Sequence, residues 1–333
     1  MSSDARVDAS GFLSNLLETQ YREVTMAVAT LAVVSASILL FPGAGNVTAG
    51  LQADLTPPLL AFLFVVAVVA GVVKGMIGFG YALITTPVFA TVIDPTVAVV
   101  VLAVPPWMLN VFQVGETDTG LAFVREEWVL LALAVVGSVV GVSFLARYSA
   151  GAVVPFLIGL VLFGYVLFQV VEDFVTVEGA HHPVALSTAG FLEGFLLAAS
   201  NLGPLLPAYF HTFERDTERY IGGLSMVLGT IFTVRLLVMG LTTALDGPLA
   251  VGGVTLLSAG GLLTPYRLWL GSVIAVVTVV GLLVGTYLRR LEVDEETFNW
   301  FVVAVLFVVS LKIFRGTVPA LFPGVADALP WLF

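Results

Sequence analysis

Residues 59–92 form one apolar run, too long for a single helical crossing of a bilayer, which takes about 20 residues, and too short for two. The run contains glycines at 71, 75, 78 and 80 and a proline at 87, residues that loosen or break a helix. Near its middle stands a positive charge, Lys74, within AGVVKGMIGFGYALITTPVFA. A bilayer offers that charge no water, so a cation among broken apolar helices is expensive and usually functional. A similar segment recurs at 184–212. The combination reads as a transporter with its binding site near the membrane midplane.

With 59% hydrophobic and 11% charged residues, the chain is not a soluble globular domain, where about 25% would be charged. Continuous apolar runs exclude a β-barrel, whose strands alternate. The fold class is therefore an all-α polytopic membrane protein, one integral unit in the lipid bilayer. The absence of cysteine removes disulfides, thiol chemistry and Cys-bound metal, and three histidines are too few for a haem or metal cluster. No phosphate-binding GxxxxGK[ST], HExxH or nucleophile elbow is present. An enzyme, a resident cofactor and a nucleic-acid partner are therefore not expected. The net charge of −10, with lysine only at 74 and 312, suits a halophile, although a genomic preference for arginine gives the same pattern.

Apolar segments fall at 24–42, 59–92, 96–114, 128–146, 152–171, 184–212, 218–241, 268–288 and 297–315. A glycine-rich stretch, 249–264, is expected to be re-entrant or interfacial, and Asp94-Pro95-Thr96 reads as a helix cap and start. The polar residues before Arg22 do not resemble a cleaved signal peptide, so 24–42 is expected to be an anchored helix. Ala70-Gly71-Val72-Val73-Lys74-Gly75 matches Ala189-Gly190-Phe191-Leu192-Glu193-Gly194, Pro87 falls opposite Pro207, and GSVVG at 137–141 parallels GLLVG at 281–285. The order of these matches gives 1–58 as a tail plus extra helix, 59–183 as one repeat, 184–315 as a second and 316–333 as an interfacial tail. Arg6 and Arg22 place the N-terminus inside. Whether 59–92 crosses once as a broken helix or returns as a hairpin decides which of Arg125 and Arg147 lies inside. Parallel and inverted repeats both remain open.

Lys74 either snorkels to an interface or binds an anion. Glu193, at the matching place in the second half, either neutralises Lys74 as a buried ion pair or carries protons, since burial favours the neutral acid. Gly71, Gly75, Gly190 and Gly194, with Pro87, Pro204 and Pro207, are expected at helix breaks and hinges. Tight packing is the alternative for the glycine clusters at 75–80 and 200–204, against which stands their position with a proline at a predicted break. A break at Gly78-Phe79-Gly80 exposes backbone N–H groups suited to an anion, with Tyr81 beside it. Ser200, Asn201 and Gly203 supply donors at the corresponding break. Arg235 either pairs with Glu193 or grips an oxyanion with its two-pronged guanidinium. Asn110, before a loop at Gln113, makes a helix-end hydrogen bond or contacts the ligand.

The sequence Gly71-x-x-Lys74-Gly75-x-x-Gly78-Phe79-Gly80, followed by Pro87 and Asp94-Pro95, resembles the first-repeat signature of the TauE/SafE sulfite exporter family. The run from Ala189-Gly190 through Gly194 to Gly203-Pro204 and Pro207 sits where that family repeats it. The resemblance covers about 59–315 and implies a secondary transporter of sulfite, thiosulfate or small organosulfonates, driven by an ion gradient. Tyr81 and Ser200-Asn201-Leu202 depart from the glycines usual in the family and put side chains into the implied site. The expected partners are a small anionic substrate, a coupling ion (proton or sodium) and, as an open alternative, a second copy in a homodimer. The rival from another class is an anion-binding membrane receptor or scaffold that moves nothing.

Overall fold

The computed structural model describes residues 21–48, 56–117, 121–171, 183–207, 217–244, 249–251, 254–257, 261–289 and 296–328. Apolar runs fold as helices because a helix satisfies its own backbone hydrogen bonds where no water can. In chain order these are α1 (Tyr21–Leu39), α2 (Pro57–Ile77), α3 (Tyr81–Ala90), α4 (Pro95–Val101), α5 (Val104–Glu116), α6 (Leu121–Glu126), α7 (Trp128–Arg147) and α8 (Val153–Val171). They continue with α9 (Pro183–Ser200), α10 (Thr217–Ala244), α11 (Pro265–Arg289), α12 (Glu296–Leu321) and α13 (Pro323–Ala328). Among the described residues, six stretches are long and apolar enough to cross a membrane: Pro57–Ile77, Pro95–Glu116, Trp128–Arg147, Val153–Val170, Tyr220–Ala244 and Pro265–Arg289.

The run at 59–92 resolves into one helix of full spanning length and one half-length helix. The 21 residues of α2 extend about 31 Å at 1.5 Å per residue, whereas α3 has 10. Phe89 and Ile93, at and just past the far end of α3, pack with Leu63 and Ala67 of α2, so the chain returns as a hairpin. It then turns again into α4, which Asp94 caps by accepting the Val97 N–H at 2.9 Å, as the sequence suggests. The predicted helix at 96–114 is divided by a turn at Leu102–Ala103, and Pro105 and Pro106 lie in the first turn of α5, where their missing N–H groups cost least.

Helix directions follow from side-chain contacts. Gln113, Trp107 and the Val99 carbonyl hydrogen-bond to Ser225, Thr233 and Arg235 in turn, so α10 runs antiparallel to α4 and α5. By contrast, α2 and α11 run parallel, with Gly71 against Thr278 and Gly75 against Leu282 and Gly285. A second parallel pair joins α7 to α9, with Gly137 facing Phe191 and Gly141 facing Phe195 and Ala198. Phe163 of α8 stacks on Phe307 of α12, and α1 covers α5 and α11 through a cluster of Val33, Val104, Met108 and Ala275.

These contacts correct the expected role of four glycines. Gly71, Gly75, Gly190 and Gly194 lie inside unbroken α2 and α9, where they let helix backbones touch. A Cβ at Gly71 would stand 2.6 Å from the Thr278 carbonyl oxygen, and one at Gly194 would overlap the Ala134 carbonyl. Pro87 likewise sits within α3 and does not form the break. Gln113, assigned to a loop from sequence, is buried within α5. The stretch at 249–264 contains a short antiparallel hairpin of β1 (Leu249–Val251) and β2 (Val254–Leu257), and α12 continues through Pro319. Gly194→Val is expected to destabilise the protein by about 1–3 kcal/mol, since backbone cannot yield as a side-chain tip can. A lower melting temperature of the purified variant checks this; an unchanged one would mean that α7 and α9 separate without penalty.

Candidate functional site

Two chain breaks face one another across the molecule. The first is Gly78–Gly80, between α2 and α3. Gly78 ends α2 at φ 85°, its N–H bonded to the Lys74 carbonyl at 2.8 Å, and Gly80 precedes α3 at φ 96°. Both angles lie in the left-handed region that a Cβ disfavours, which explains glycine at both positions. No side chain caps α3, so the N–H groups of Tyr81, Ala82 and Leu83 begin the helix without carbonyl partners.

Lys74 is 2% exposed, and its ammonium donates to the Gly78 carbonyl at 3.0 Å and to Asn110 Oδ1 at 2.8 Å. Gln113 donates from Nε2 to the Lys74 carbonyl at 3.0 Å and accepts from the Ser225 hydroxyl at 3.0 Å, tying the end of α2 to α5 and α10. Lysine has only donors, so the amide of Asn110 must turn its oxygen to Lys74 and its Nδ2 elsewhere. That Nδ2 is buried and has no hydrogen-bond partner among the described residues. Lys74, Asn110 and the uncapped start of α3 all line one cavity of about 30 Å³. Lys74, Phe79, Gly80, Tyr81 and Asn110 form one wall; Leu197, Gly203, Pro207, Leu228 and Phe232 form the other. At this size it admits a water or two.

The second break is Asn201–Pro204, after α9. Asn201 takes φ 64°, which asparagine tolerates better than most side chains, and its N–H bonds the Leu197 carbonyl. Its side chain donates to Thr86 Oγ1 at 2.8 Å and accepts from Arg235, whose other terminal nitrogen donates to the Val99 carbonyl at 2.7 Å. Arg235 is fully buried, and its guanidinium thus joins α10 to the break and to α4. Ser200 spends its hydroxyl on the Leu196 carbonyl of its own helix. Glu193 accepts the N–H groups of Leu205 at 2.9 Å and Leu206 at 3.3 Å through Oε2, while Oε1 has no partner among the described residues. A Cβ on Gly203 would overlap this carboxylate.

Of the residues singled out from sequence, Lys74, Phe79, Gly80, Tyr81, Asn110, Gly203 and Pro207 surround the cavity, with Gly78 one step behind as the partner of Lys74. Pro204 follows Gly203 within the break. Asn201 and Arg235 form a separate network with Thr86, and neither they nor Ser200 line the cavity. The phenol of Tyr81 turns away towards Thr278 Oγ1 at 3.4 Å, so Tyr81 faces the cavity without its hydroxyl. Neither Lys74 nor Arg235 forms an ion pair with Glu193 in this conformation: both cations are solvated by neutral amides and carbonyls, and the carboxylate by backbone N–H groups. Gln113, Thr86 and Ser225 escaped the sequence reading. An amide one helical turn beyond Asn110 is a usable signal for Gln113; the two hydroxyls give none.

Among family models, the one described as Sulfite exporter TauE/SafE matches residues 63–313. No curated protein and no solved structure matches the chain.

Proposed function

The chain belongs to the sulfite exporter TauE/SafE family, and from that premise we propose that it exports sulfite or a small organosulfonate across the cytoplasmic membrane by alternating access. The observation that carries the reading is the cavity between the two breaks. Three kinds of donor-bearing group line it, with no carboxylate among the described residues of its wall: the Lys74 ammonium, the Asn110 amide and the first N–H groups of α3. Such fixed donors favour an oxyanion. Asn201 and Arg235 set the shape of the opposite break, and Arg235 adds positive potential without touching the anion.

The halves 59–183 and 184–315 are read as inverted repeats. In support, α4 and α5 oppose α10 in direction, and each parallel glycine contact joins one half to the other. A cavity walled by both halves opens to one side or the other as they rock. It must widen to admit a sulfonate, because its present volume of about 30 Å³ suits water alone. With the hairpin at 59–92, an inside N-terminus places Arg125 inside and Arg147 outside, and Arg289 joins Arg125. Glu193 couples transport to protons, since a carboxylate held only by N–H groups and free at Oε1 has one oxygen open to protonation.

Flux of labelled sulfite, sulfate, thiosulfate, taurine and sulfoacetate in proteoliposomes tests the proposal. Saturable movement of at least one of the sulfur oxyanions is expected. Saturable binding without flux would identify an anion receptor or scaffold.

A further inference from the structure

We propose that Asn110 makes the cavity read the protonation state of its anion: an oxyanion whose oxygens are all bare is accepted, and one carrying an O–H is rejected. The inference rests on the reading of this cavity as the oxyanion site.

The reason is that, among the described residues, the polar side of the cavity offers donors and no side-chain acceptor. The Lys74 ammonium has no lone pair to give. The side-chain acceptor of Asn110, Oδ1, accepts from Lys74 at 2.8 Å, and this contact fixes which way the amide faces. The side-chain donor left over on Asn110, a residue that lines the cavity, is therefore Nδ2, two N–H bonds on a residue 1% exposed, with no partner among the described residues. The start of α3 adds backbone N–H groups. Tyr81 directs its hydroxyl to Thr278, and Thr278 in turn donates to the Ile274 carbonyl at 2.7 Å. The rest of the wall is apolar, with Phe79, Leu197, Leu228 and Phe232. Glu193 is the nearest carboxyl by chain position, yet it does not line the cavity and is held by Leu205 and Leu206.

A sulfonate has three bare oxygens, each able to accept from these donors. A hydrogen phosphonate of the same shape and charge carries one O–H, which would face these N–H groups with no side-chain acceptor among the described lining residues. A buried donor left without a partner loses its hydration and gains nothing. Sites built this way discriminate far more sharply than apolar pockets do. The filter reads the ligand's proton, so it separates isosteres that size and net charge cannot.

Methanesulfonate and methylphosphonate are the matched pair. At about pH 5, below the second ionisation of a phosphoryl group near 6, both are monoanions and only the phosphonate bears an O–H. Binding of each to the purified full chain is measured by calorimetry. The expected result is tighter binding of methanesulfonate by about tenfold or more. Asn110→Ser places a hydroxyl there that both donates and accepts, and should bring the ratio towards one. Equal binding of the two anions by the wild-type protein overturns the inference, whether or not the variant folds, and so does an unchanged ratio in a folded Asn110→Ser protein. If both bind equally and both are lost in Lys74→Ala, the oxyanion site stands and only the filter falls. If neither binds the wild-type chain, the site reading fails and takes the filter with it.

Discussion

Lys74→Ala is expected to weaken anion binding about a hundredfold, about 3 kcal/mol, in a protein that remains folded. The ammonium is the only charged group on the cavity wall among the described residues, so its removal takes away the local positive potential and one charge-assisted hydrogen bond to the anion. The same change releases Asn110, whose amide then turns freely because Lys74 no longer holds its oxygen. The fold should survive because no carboxylate loses a partner. The end of α2 stays anchored by the Gly78 N–H and the Gln113 amide, both on the Lys74 carbonyl. Lys74→Arg should not restore full affinity, since a planar guanidinium cannot reproduce a compact ammonium between Gly78 and Asn110. Titration with methanesulfonate, alongside melting temperature, checks both statements. Wild-type affinity in a well-folded Lys74→Ala protein would remove Lys74 from the site.

Glu193→Gln is expected to abolish the dependence of transport on a pH gradient while leaving anion binding nearly intact. A glutamine oxygen can accept the Leu205 and Leu206 N–H groups as the carboxylate does, so the second break should keep its shape. The amide cannot exchange a proton, and accumulation should fall to the level reached with no gradient imposed. If Glu193 served only to balance Lys74 or Arg235, the variant would instead bind the anion more tightly or melt earlier, by leaving a cation uncompensated. Neither cation touches Glu193 in this conformation. Uptake measured with and without an imposed gradient separates the two roles, and unchanged gradient dependence would eliminate the proton-carrier role.

The membrane class, the interrupted helix at Gly78–Gly80, the Asp94 cap and the buried Lys74 were all legible in the sequence, because each is a local conflict between residue type and environment. The four glycines at 71, 75, 190 and 194 were misread for an equally physical reason. A glycine at small-xxx-small spacing looks the same whether it breaks its own helix or admits a neighbour, and the neighbours here, α11 and α7, lie far along the chain. Asn201 was visible as a polar residue but not as the left-handed turn of the break. The partners of Arg235 were hidden for the same reason as the glycine contacts. Its terminal nitrogens reach Asn201 and the Val99 carbonyl, groups that only folding brings together. Tyr81 shows the limit from the other side. Its position beside the cavity was legible, whereas the direction of its hydroxyl depends on Thr278 across the helix pair.

The central claim is that one cavity, walled by both halves, opens alternately to the two sides of the membrane. The chain has no cysteine, so a single thiol can be introduced without removing any. Leu228→Cys places it on the cavity wall opposite Lys74, at a position 6% exposed. The measurement is the rate of labelling by a membrane-impermeant maleimide, applied to either face of sealed vesicles, with and without methanesulfonate. The account predicts labelling from both faces and slower labelling from each when the anion is present. Labelling from one face alone, or rates indifferent to the anion, would contradict it.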